Sequence, residues 1–169
     1  MYRNMAQLYR NNQIIDVTKD CEFQWLQEPD SITHGTFPDS IKTPNLDDYL
    51  EFQSTLSGSG AVAKLKITLP KVKFCFPIVY FSSGPQIGTD DALRYVRCFR
   101  TDDTYENTGL SYSSTICNWY TGKFESYGDT NESGLYPTYA KYWYFYFYAS
   151  DAGTFSFRIR TLRIGEVLI

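Results

Sequence analysis

The sequence predicts an all-β fold, a single antiparallel β-sandwich of about eight strands. Three observations predict it. Apolar and polar residues alternate with a period of two in one stretch after another, as half-buried strands require. Gly, Pro, Asn and Asp clusters such as STLSGSG, SSGPQIGTDD and ESYGDTNESG separate those stretches at the short intervals usual in sandwiches. The composition also suits a pleated surface, with 15 Tyr and 12 Phe among 169 residues.

Taken in chain order, residues 1–13 (MYRNMAQLYRNNQ) form an N-terminal arm, and 14–169 form the sandwich domain. In the arm Tyr2, Met5 and Leu8 or Tyr9 lie on a helical stripe, which at this length needs a surface to dock on. IIDVT (14–18) and CEFQWLQ (21–27) are the first strands. Residues 44–56 can be read two ways. Pro44 and Asn45 are helix-start signals with Leu46, Tyr49 and Leu50 in helical register, while alternation of Tyr49 or Leu50 with polar neighbours suits a strand.

KLKITL has the clearest alternation: Leu65, Ile67 and Leu69 turn inward, and Lys64, Lys66 and Thr68 outward. KFCFPIVYF (73–81), ALRYVRCF (92–99) and SYSSTICNWY (111–120) follow as strands. In KYWYFYFYAS (141–150), Trp143, Phe145 and Phe147 belong to the core, so Tyr142, Tyr144, Tyr146 and Tyr148 line the opposite surface. A short SDAG turn leads into the last strand, and the expected hairpin pairs 142–148 with 155–163. Phe155, Phe157 and Ile159 are core residues. The phase then changes to Leu162 and Ile164, which predicts a bulge near Thr161. This pairing sets Arg158 and Arg160 on the tyrosine face, where guanidinium groups stack on rings.

Several function classes are disfavoured. A net charge of -3 argues against a general nucleic-acid binder, which needs a clustered basic face. The N-terminal residues lack the apolar run of a signal peptide or a membrane span, and the bulky Tyr2 after Met1 suits a chain made in the cytoplasm with its initiator retained. Cys21, Cys75, Cys98 and Cys117 are too far apart for a zinc ribbon or redox motif and read as reduced packing residues, with three disulfide pairings open if the chain reaches an oxidising place. The glycine-bearing loops lack the lysine and hydroxyl residue of a phosphate cradle.

No catalytic residue is assigned. His34 is the one histidine, and although Ser31 and Asp39 are near it in sequence, no nucleophile elbow surrounds any serine. Asp47 and Asp48, Asp90 and Asp91, and Asp102 and Asp103 are adjacent pairs, whereas a glycosidase needs two carboxylates facing one bond. In DTNESG, Asp129, Asn131 and Ser133 occupy alternate positions as at the start of a calcium loop, with Gly134 at the turn. Position 140, where that pattern places its glutamate, is Ala140. No cofactor is expected; calcium on these three residues is the alternative to reading the loop as a hydrophilic turn. The partner-binding residues are Trp119, Tyr120, Tyr142, Tyr144, Tyr146, Tyr148, Arg158 and Arg160, of types that stack on sugar rings or anchor protein interfaces.

The close of the chain, an aromatic strand, the SDAG turn and TFSFRIRTLRIGEVLI, resembles the final hairpin of jelly-roll sandwiches. Carbohydrate-binding modules and bacteriophage surface or attachment proteins share that architecture. The resemblance implies glycan recognition at loop ends or on a sheet face, or assembly into a symmetric particle. Because of the arm and the missing export signal, the leading expectation is a non-enzymatic bacteriophage particle component: a capsid decoration, head-fibre or tail protein. It would act through protein contacts in a homo-oligomer, with possible attachment to host glycans, in a virion or other extracellular assembly. The alternatives are a carbohydrate-binding module of a secreted or cell-surface protein and a small β-sandwich glycan-cleaving enzyme.

Overall fold

Period-two alternation becomes ten strands in the computed structural model, which describes residues 13–43, 48–83, 87–88, 93–101, 112–120 and 137–168. They are β1 (Gln13–Asp16), β2 (Glu22–Gln27), β3 (Ser31–His34), β4 (Leu50–Leu56), β5 (Gly60–Ser83), β6 (Ile87–Gly88), β7 (Leu93–Thr101), β8 (Tyr112–Tyr120), β9 (Thr138–Ala149) and β10 (Gly153–Leu168). A 3-10 turn at Thr18–Asp20 and one helical turn, α1 (Asp39–Lys42), complete the described elements. The protein is an all-β antiparallel sandwich.

One layer runs β2, the first half of β5, β9, β7, β8. The other runs β3, β4, β10, the second half of β5, with β1 and β6 also on β10. The sequence suggests separate strands at 64–69 and 73–81. In the structure they are one strand that changes layer where its register with β9 breaks between Thr68 and Lys73. Pro70, which has no N–H to donate, falls in this break, where a ladder bond is already missing.

The core fills the space between the layers. Leu65, Ile67, Trp143, Phe145, Phe147 and Val96 from the first layer meet Phe52, Phe81, Phe155, Phe157, Ile159, Leu162 and Ile164 from the second, all essentially without solvent exposure. The Phe147 ring has the Phe52, Phe157 and Phe81 rings at 5.0, 5.2 and 5.4 Å, each edge-on, an arrangement aromatic quadrupoles favour. The phase change expected near Thr161 is present: β10 shifts register against β5 between Ile159 and Thr161, so Ile159 and Leu162 both reach the core.

One expectation is corrected and one open reading is resolved. β9 and β10 are not paired with each other: β9 lies between β5 and β7, and β10 between β4 and β5. Residues 150–152 cross from one layer to the other. Facing each other across the core, the Phe145/Phe147 and Phe155/Phe157 rows bury one another, whereas side by side they would share one face and need another cover. The ambiguity at 44–56 resolves to strand over Leu50–Leu56, where Leu50, Phe52 and Ser54 alternate into the interior; residues 44–47 lie outside the described residues.

Residues 1–12 of the expected arm also lie outside the described residues, and Gln13 pairs opposite Leu168. Cys21, Cys75 and Cys98 are buried free thiols. Trp143 donates its indole N–H to the Cys75 sulfur at 3.4 Å, and burial pushes that thiol up to about 11 and the Cys21 thiol up to about 12.

Candidate functional site

The outward side of the β5–β9–β7 layer holds the tyrosine row, because the alternate positions of β9 are committed to the core. Pairing fixes the neighbours of each ring. Lys66 lies opposite Tyr144; Lys64 and Arg97 lie on either side of Tyr146; Tyr95 lies opposite Tyr148.

The row divides into a covered half and an open half. Tyr142 and Tyr144, expected on the exposed face, are 6% and 0% exposed, and Lys66 beside them is 3% exposed. The Lys66 and Lys141 ammonium groups stand 5.0 and 5.5 Å from the Tyr142 ring, so cation–ring contacts occupy this half. Tyr146 and Tyr148 are half-buried, as are Tyr95 and Lys64, and Arg97 is exposed.

In the open half the Tyr95 and Tyr148 rings stack at 5.1 Å and 22°, and Tyr146 meets Tyr148 edge-on at 6.3 Å and 66°. Lys64 Nζ sits 4.9 Å from the Tyr146 ring centroid. Burial, reinforced by neighbouring phenols, raises the Tyr146 and Tyr148 hydroxyls above their ordinary values; at Tyr148 the Arg97 charge partly opposes this. Both therefore remain protonated at neutral pH, able to donate and accept hydrogen bonds beside an apolar ring surface.

Arg158 and Arg160 do not join this row, because β10 pairs with β4 rather than β9. They stack on a different tyrosine: their guanidinium carbons lie 5.4 and 4.8 Å from the Tyr49 ring. The imidazole of His34 stacks on the same ring at 3.9 Å and 12°, with Nδ1 2.8 Å from the Tyr49 carbonyl. Arg158 Nε donates to Glu51 at 2.5 Å and Arg160 Nε to Ser82 Oγ at 3.2 Å.

Glu51 has consequences for acid stability. Burial alone would raise its pKa, but hydrogen bonds from Arg158 and Thr33 and the Arg158 charge outweigh it, holding the carboxyl below its ordinary value. Asp16 is depressed in the same way by the Thr18 hydroxyl and N–H and by Arg163. A carboxyl with a lower pKa when folded contributes stability above its unfolded pKa, about 4, and loses it as the pH falls through the folded value. Melting temperature followed by circular dichroism is therefore expected to fall below about pH 4. The deficit of Glu51→Gln relative to the parent chain should shrink over the same interval; a deficit that stays constant with pH would contradict the assignment.

Trp119 and Tyr120 lie on β8, in register with Arg94 and Leu93, and only the backbone of this strand is described. Asp129, Asn131 and Ser133 lie outside the described residues. Among the described residues, no group of three or more metal-ligating side chains forms, and no helix is long and apolar enough to cross a membrane.

Two features escape sequence reasoning. One is the grouping of Tyr95, Lys64 and Arg97 with the row: each lies on a strand expected from alternation, but strand order decides which strands adjoin β9. The other is a cleft of about 310 Å³ where β5 changes layer. It is lined by Tyr139, 56% exposed and 5.0 Å from the Phe74 ring, and by the Lys73–Glu166 ion pair at 2.9 Å.

No protein-family model matches the chain, and no curated protein matches it. Among solved structures, the C-terminal domain of a chitobiase from Bacteroides fragilis is 13% identical with a TM-score of 0.45, covering 92% of this chain and 100% of that one. The family 32 carbohydrate-binding module of C. perfringens NanJ, solved with galactose, is 12% identical with a TM-score of 0.40, over 91% and 100%. TmCBM61, solved with β-1,4-galactotriose, is 10% identical with a TM-score of 0.37, over 94% and 90%. Likeness at this level assigns neither ligand nor activity to the present chain.

Proposed function

We propose that this chain is a non-catalytic glycan-binding module that holds sugar through the open tyrosine patch of Tyr95, Tyr146 and Tyr148. The observation that supports this most is the patch itself: three half-exposed rings on a sheet face, with Tyr148 in contact with both Tyr95 and Tyr146, and hydroxyls, an ammonium and a guanidinium around them. Sugars present C–H faces to rings and hydroxyls to polar groups, and the patch offers both. Among the described residues it offers stacking and hydrogen bonding, the means of a binding module. In this reading the module, residues 14–169 with an arm at 1–13, works outside the cell on extracellular or surface polysaccharide.

A glycan array followed by calorimetry on the best hit tests it. Tyr148→Ala is expected to weaken binding by about tenfold or more, equivalent to roughly 1.4 kcal/mol. Tyr139→Ala, in the cleft, should leave affinity unchanged. The reverse pattern would move the site to the cleft, and an array without hits would end the glycan reading.

A subunit of a larger assembly, such as a bacteriophage particle, is the second reading. The outer face of the other layer favours it: Tyr139, Phe74, Val167 and Ile14 are neighbours across four strands, with Tyr80 further along, and Tyr139, Tyr80 and Ile14 are 56%, 47% and 41% exposed. Exposed apolar side chains set around the buried Val167 and Phe76 on one sheet face suit a protein contact. Light scattering of the purified chain would report self-association directly.

A further inference from the structure

We infer that the open tyrosine patch is built for an acidic glycan, one whose sugar rings carry carboxylate or sulfate groups. The inference rests on the glycan reading and adds the charge of the ligand. Lys64, Tyr146 and Arg97 form a cross-strand row on β5, β9 and β7, so two cations stand on either side of one half-exposed ring. At ordinary strand spacing their backbones are about 10 Å apart, a span comparable to a short saccharide.

Cations of the described surface are of two kinds: some carry a carboxylate partner, while others, Lys64, Arg97, Arg160 and Lys141 among them, form no ion pair among the described residues; Lys64 and Arg97 are the two that flank one half-exposed ring. Arg158, Arg163 and Lys73, also on outer surfaces, are each matched to a carboxylate, with Glu51, Asp16 and Glu166 at 2.5, 2.9 and 2.9 Å. Neither Lys64 nor Arg97 forms an ion pair among the described residues; the Lys64 ammonium is held over the Tyr146 ring instead. A chain of net charge -3 thus places two cations, neither ion-paired among the described residues, beside an open aromatic patch. A neutral sugar would use them only as hydrogen-bond donors, without the charge. A sugar carboxylate or sulfate stacked on Tyr146 or Tyr148 would meet the bidentate fork of Arg97 on one side and the ammonium of Lys64 on the other.

Single-stranded nucleic acid is recognised by the same residue types. It is disfavoured because a polyphosphate backbone calls for a continuous basic groove, and the overall negative charge opposes its approach.

The test is calorimetry of the full chain with paired ligands that share a backbone: oligogalacturonate against its methyl-esterified form, and sulfated against unsulfated galactan fragments. A short oligothymidylate is run alongside. At least one acidic member is expected to bind about tenfold or more tighter than its neutral partner, with the gap narrowing in about 0.5 M salt. Arg97→Gln and Lys64→Gln should each remove most of that preference and leave the melting temperature unchanged. If acidic and neutral members bind equally, the acidic assignment is wrong and the glycan reading stands. If neither member of any pair binds and the array is blank, both fail. Oligothymidylate binding as tight as the best saccharide would also overturn the acidic-glycan assignment, in favour of nucleic acid.

Discussion

Phe147→Ala is expected to lower the free energy of unfolding by about 3–5 kcal/mol, which for a domain whose total is about 5–15 kcal/mol leaves little or no folded protein at the lower limit. Phe147 is fully buried on β9, and its ring touches Phe52 of β4, Phe157 of β10 and Phe81 of β5. It therefore joins the two layers at the centre of the core. Truncation removes the transfer energy of the ring and leaves a void that neighbours anchored in two separate ladders cannot collapse to fill. Urea denaturation followed by tryptophan fluorescence would measure the loss. Phe147→Leu, which keeps much of the volume, should recover more than half of it; a cost below about 1.5 kcal/mol for the alanine variant would contradict this account of the core.

Gly35→Ala is expected to be the second most damaging of these substitutions, costing about 2 kcal/mol or more. Gly35 has φ 80°, in the left-handed region that disfavours a side chain. A methyl group there would also run into the Tyr49 carbonyl oxygen and stand 2.7 Å from Ser40 Oγ. That carbonyl has little room to retreat, because His34 Nδ1 lies 2.8 Å from it and the His34 ring is stacked on Tyr49. Gly35→Asn separates the two causes. Asparagine tolerates the left-handed region, so a penalty from φ alone would be largely relieved, whereas the steric penalty would persist. Persistence is the expected outcome, read from the same denaturation curves.

Which way a side chain faces was largely legible in the sequence, because facing depends on a two-residue period within one strand. Leu65, Ile67, Trp143, Phe145 and Phe147 all point where their alternation predicts, and even the phase slip near Thr161 could be read from the apolar residues on both sides of it. Pairing was not legible. Nothing local to KYWYFYFYAS says that Lys64 and Arg97, far away in sequence, will be the neighbours of Tyr146, and a short polar turn after Ala149 suggests a hairpin as readily as a crossing between layers. Burial on the outer face was also missed: Tyr142 and Tyr144 alternate in the same way as Tyr146 and Tyr148, yet only the second pair reaches solvent. The candidate site was therefore half visible, its rings from alternation and its charges only from strand order.

The place of β10 in the sandwich bears on how the chain is made. Residues 153–168 supply the partner for β1, β4, β6 and half of β5. A ribosome releases those earlier strands first, with their apolar faces uncovered and one ladder edge unfilled until β10 emerges. The sandwich cannot close before β10 is available, so completion of the fold follows the emergence of residues 153–168 from the exit tunnel. During that interval, holdase chaperones or slow translation should govern how much soluble protein a cell recovers.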